Sequence, residues 1–93
     1  GPKPSAAAAA PRPKDRPAVT TRSPSTLNRL MRDADKELSV LTRRRDRLHD
    51  DLVAAATDHG ALATLGRELA EVDAQIAVVE ERWLALASEL DTP

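Results

Sequence analysis

Six of the seven cationic side chains between residues 29 and 47 are the group in this sequence best placed to do chemistry. Arg29, Lys36 and Arg43 recur every seven residues, and Arg32, Arg44 and Arg47 lie close beside them. Seven residues are two turns of an α-helix, so the first three would share one line along a helix surface. A line of positive charge of this kind can follow a phosphate backbone. The competing reading is a solvated face, because Asp33, Asp35, Asp46, Asp50 and Asp51 are interleaved with the cations. A single Trp and no Phe or Tyr leave nothing to stack on splayed bases, so sequence-specific reading of single strands is not expected.

No catalytic centre is expected in this chain. Its three glycines, at 1, 60 and 66, cannot build a phosphate-cradling GxxxxGK[ST] loop. His49 and His59 lack the neighbours a metal site needs; they read as solvated or structural side chains, with His49 able to hydrogen-bond Asp73. Cofactors are therefore expected to be none and metal ligands none. The absence of cysteine removes disulfides and thiolate sites and suits a cytoplasmic protein. No apolar run approaches the ~18 residues of a membrane span, and no signal-peptide pattern is present.

The elements that would position the cations follow from apolar spacing. Leu62, Leu65, Leu69, Val72, Ile76, Val79, Trp83, Leu86 and Leu90 are separated by alternating steps of three and four, the a/d rhythm of a coiled-coil helix. The same rhythm, entered at d, runs through Leu27, Met31, Ala34, Leu38, Leu41, Arg45, Leu48, Leu52 and Ala55. A short break at Thr57-Asp58-His59-Gly60 separates the two. Gly60 suits a left-handed turn residue, and Thr57 or Asp58 can cap the second helix.

A short turn between heptad helices predicts an antiparallel hairpin, in which paired residue numbers have a constant sum. Taking Ala55 against Leu62, the same sum pairs Leu48 with Leu69, Arg45 with Val72, Ala34 with Trp83 and Leu27 with Leu90. The predicted fold is all-α, an antiparallel two-helix coiled-coil hairpin about 45 Å long, at ~1.5 Å per residue. Helix 1 is expected over about 25–56, capped by Ser25 or Thr26, the turn over 57–60, and helix 2 over about 61–90. The whole hairpin spans 25–91, and because its seam is closed from within one chain a monomer is expected.

Two layers are distinctive. Trp83, the largest core residue, faces Ala34, one of the smallest, which conserves volume. Arg45 interrupts the seam. It can fix register while sending its guanidinium toward Asp73 or Glu68, or it can serve a ligand. Glu37 is expected near Arg82, and Arg44 near Glu68. Ala70, Ala74, Ala77, Val78, Leu84 and Ala85 line the outer side of helix 2. They read either as good helix formers or as a docking face.

Residues 1–24 hold every proline except Pro93 and read as a disordered Pro/Ala/Arg-rich linker, with Gly1-Pro2 the remnant of a cleaved tag. The segment is basic, so it is either a spacer or a tail drawn to nucleic acid. The helix 1 region is nearly balanced and the remainder from Asp58 is acidic, within a total of −1.

The ending Glu80 to Leu90, EERWLALASEL, and the stretch Ala54 to Ile76, AAATDHGALATLGRELAEVDAQI, together with the hairpin length, resemble the C-terminal coiled-coil domain of ABC-F ATPases of the Uup type. The resemblance covers about two thirds of the chain, and the Trp-centred motif is its most specific part. It implies a soluble two-cassette parent whose ATP and Mg sites lie outside this chain, acting on the ribosome in translation or in other nucleic-acid-linked processes. It also implies a hairpin that works beside its own ATPase domains and contacts DNA or ribosomal RNA. The acidic second helix departs from what such contact needs. Arg29, Arg32, Lys36, Arg43, Arg44 and Arg47 are therefore the residues to which the resemblance assigns it. The alternative is a protein-interaction or dimerisation coiled coil using the small-residue face of helix 2.

Overall fold

The structure, a computed structural model, describes residues 22–92. The expectations for the prolyl segment up to residue 21 lie outside the described residues. Two helices account for nearly everything else: α1 spans Pro24–Ala54 and α2 spans His59–Asp91. They pack against each other along their length as an antiparallel hairpin.

α1 starts one step earlier than its sequence suggests. Ser23, in extended backbone geometry, is the N-cap, and its hydroxyl accepts from the Thr26 N–H at 3.3 Å. Pro24 then takes the first helical position instead of standing outside the helix. Its missing N–H costs nothing there, and its ring already has a helical φ. Ser25 and Thr26 are consequently inside the first turn.

The reversal also sits earlier, at 55–58. Ala55 ends α1, donating its N–H to Asp51 at 2.9 Å, and Asp58 N–H returns to the Ala55 carbonyl at 2.8 Å. Asp58 then caps α2 by accepting from Ala61 N–H at 3.0 Å. A side-chain acceptor at that point satisfies an otherwise orphaned donor, so the helix begins at His59. Gly60 is thereby drawn into the first turn of α2 with no left-handed backbone, and its expected role in the turn is not realised.

Every residue of the two predicted apolar rows is buried or half-buried. Leu27, Ala34, Leu48, Val72, Ile76, Val79 and Leu86 are the most enclosed. Leu48, Val72 and Ile76 form one continuous cluster, with Leu38, Leu41, Leu65 and Leu69 packed around it. Each such aliphatic side chain contributes on the order of 1.5–3 kcal/mol when fully removed from water, which makes this seam the main source of stability. The all-α hairpin expected from the sequence is the fold observed.

Gly66 tests this arrangement. It lies inside α2, and a Cβ built on it meets no heavy atom within 4 Å. Gly66→Ala should therefore raise stability by roughly 0.5–1 kcal/mol, read as a higher midpoint in thermal melts followed by circular dichroism. A lowered midpoint would mean that this face of α2 is already occupied.

Candidate nucleic-acid interface

α1 presents its cations as a single straight helix must. Arg29, Arg32, Lys36, Arg43, Arg44 and Arg47 are all exposed. At ~1.5 Å per residue they extend over roughly 27 Å, and the seven-residue step of Arg29, Lys36 and Arg43 is about 10 Å, close to three phosphate intervals of one DNA strand. Arg29 is tied to Asp33 on the next turn at 3.8 Å, an exposed pair. Among the described residues, the other five have no carboxylate within ion-pair distance. Asp33, Asp35, Asp46, Asp50 and Asp51 are exposed on the same helix, so the row of cations is not free of negative charge.

The opposite helix differs in character. α2 carries Arg67 and Arg82 against Glu68, Glu71, Asp73, Glu80, Glu81, Glu89 and Asp91. Its small outer residues Ala70, Ala74, Ala77 and Ala85 are exposed, with Val78 and Leu84 more than half exposed. His49 and His59 are exposed as well. Among the described residues no hydrogen bond joins His49 to Asp73, and no group of three or more His, Asp or Glu side chains is arranged to hold a metal.

Two predicted contacts, Arg44–Glu68 and His49–Asp73, fail for one reason. Glu37 and Arg82 do meet, at 2.6 Å, which marks the register of the two helices on that side. In that register Arg44 is level with Asp73 and Gln75, five residues from Glu68, so the expected Arg44–Glu68 pair is absent among the described residues. The same offset separates His49 from Asp73. Arg45 is half-buried over the seam, level with Val72, which is 2% exposed. Its Nε lies 3.9 Å from Asp46 Oδ1 on its own helix, and its guanidinium does not cross to Asp73 or Glu68. Packing by the arginine methylenes fits this placement. Ala34 is 1% exposed at the level of Trp83, whose Nε1 is enclosed without an acceptor.

One further contact has no counterpart in the heptad pattern. Arg22, just before the cap, donates to Glu89 near the end of α2: Nη2 to Oε2 at 2.7 Å, Nε to Oε1 at 3.1 Å and its backbone N–H to Oε1 at 3.3 Å. The side-chain hydrogen bonds, then the backbone one, hold the Glu89 carboxyl below its ordinary range, and the same side-chain bond raises Arg22. Two-point contact between guanidinium and carboxylate is the geometry in which such pairs are strongest. Heptad periodicity does not signal it, because Arg22 stands outside the repeat.

No protein-family model matches this chain, and no curated protein or solved structure is found to be similar to it.

The clamp has a pH signature. Because the Glu89 pKa is depressed in the folded state, its stabilisation is present above the unfolded value, about 4.3 for a glutamate, and is lost as pH falls through the lower folded value. Glu89→Gln should therefore lower the melting midpoint at pH 7, with the gap to the unmodified protein closing below about pH 4. A gap unchanged across that range would show that the charge is not what holds the open end.

Proposed function

We propose that this hairpin is a non-catalytic accessory domain that contacts nucleic acid, duplex DNA or structured RNA such as that of the ribosome, through the outer face of α1. The observation supporting this most directly is that five of its six exposed cations have no ionic partner among the described residues. Contact would be electrostatic and indifferent to sequence, since α1 has no aromatic side chain to stack and its cations are spaced for phosphates. α2 would face away, its acidic surface setting the orientation of approach by repulsion.

The resemblance to the C-terminal domain of Uup-type ABC-F ATPases extends this reading to the parent protein. There the hairpin would serve beside cytoplasmic ATPase domains that carry ATP and Mg, adding grip on nucleic acid and no chemistry of its own. Among the described residues no helix is long and apolar enough to cross a membrane. A second reading, a protein-docking coiled coil, is favoured by the exposure of Val78 and Leu84 at 58% and 62% on α2.

Gel-shift titrations with a short duplex and a structured RNA test the proposal. If about four phosphates are neutralised, affinity should fall roughly hundredfold between about 50 and 200 mM salt. Replacing Arg32 and Arg43 together by Gln should weaken binding to every sequence alike and flatten the salt slope by about 2. Absence of binding at low salt, or binding indifferent to salt, would overturn it.

A further inference from the structure

Arg22 lies outside the helical repeat, yet it stands seven residues before Arg29. The step that relates Arg29, Lys36 and Arg43 would make it the first member of the same row, were the helix continued upstream. Pro24 prevents that. The residue before a proline is driven into extended backbone, and Ser23 accordingly has φ of −65° and ψ of 153°. Arg22 therefore leaves the helix, and its guanidinium meets Glu89 on α2 instead of heading the row.

The contact has the form of a phosphate contact. Nε and Nη2 donate to the two carboxylate oxygens at 3.1 and 2.7 Å, the two-point geometry that a guanidinium also offers to phosphate. One edge cannot serve both anions at once. The pair is not sealed from solvent either, since the side chains of Arg22 and Glu89 are 49% and 27% exposed. Arg22 is also close to the row. Two extended steps and five helical ones put it, along the rod, no more than about 15 Å from Arg29, against about 10 Å between members of the row.

We infer that Glu89 holds Arg22 back from the cationic face, and that Arg22 exchanges this carboxylate for a phosphate when the hairpin meets nucleic acid. The inference rests on the contact proposed above and adds its regulation. In the free hairpin the two charges cancel, and the pair ties the start of α1 to the last turns of α2. A polyanion laid along α1 brings phosphates to Arg29 and its neighbours. The next phosphate along is then held near Arg22 at a high local concentration. The carboxylate is a weak rival, because exposed ion pairs of this kind hold by a factor of only about two to five.

Gel-shift titrations with a short duplex test the exchange. Glu89→Gln should tighten binding about two- to fivefold, although the same substitution lowers the melting midpoint. A contact with a purely structural role would weaken both. Glu81→Gln is the control: it removes an exposed acid of α2 that has no ionic partner among the described residues, and it should change affinity less. Arg22→Gln should flatten the salt slope by about 0.9, the share of one phosphate, whereas Arg22→Lys should keep it. Once Arg22→Gln is in place, adding Glu89→Gln should do no more than Glu81→Gln does. Circular dichroism checks that each variant keeps its helices. A slope untouched by Arg22→Gln overturns the inference and leaves the proposed contact standing. So does a gain from Glu89→Gln that persists without Arg22. No binding of the duplex at low salt overturns both.

Discussion

Register between the two helices is the constraint on which everything else in this protein depends. The reversal at 55–58 is short and doubly hydrogen-bonded, so it leaves the helices little freedom to slide. Once Asp58 caps α2, each layer of α1 has one possible partner. A slip of a single residue would rotate the apolar rows away from each other and expose several aliphatic side chains, at on the order of 1.5–3 kcal/mol each. An exposed ion pair such as Glu37–Arg82 contributes at most about 1 kcal/mol. Packing therefore sets the register and the charges adapt to it.

That order of priority accounts for what could and could not be read from sequence. The seam was legible because burial has a period: all the residues assigned to the two rows are shielded, and even Arg45 keeps its place over Val72. Caps were partly legible. Asp58 is among the expected caps, whereas Ser23 is not, because Pro24 reads equally well as a barrier before a helix or as its first residue. Ion pairs were the least legible. Arg44–Glu68 and His49–Asp73 match by heptad letters alone, which repeat every seven residues and do not specify which repeat meets which. Only Glu37–Arg82 was assigned to the correct level. Arg22–Glu89 has no periodic signature at all; it depends on Arg22, just before the cap, meeting the last turns of α2.

The candidate site follows the same logic. That the cations are exposed was foreseeable, since b, c, f and g positions of a two-helix seam have nothing to bury against. A groove beside Val40 and Val78, between the helices, was not foreseeable from one helix at a time. Its two valines lie on different helices and become neighbours only through the register.

Sorting of charge between the helices is the last consequence. α1 is nearly balanced along its length while α2 is strongly acidic, although both need only a solvated outer face. A rod stabilised by its seam gains little from such segregation, because exposed charges far apart are screened within about 10 Å at ordinary ionic strength. Segregation does matter to a partner that meets one edge at a time. A polyanion would be attracted toward α1 and turned away from α2. The asymmetry of charge adds little to the stability of the hairpin, and in the proposed contact it would orient the polyanion.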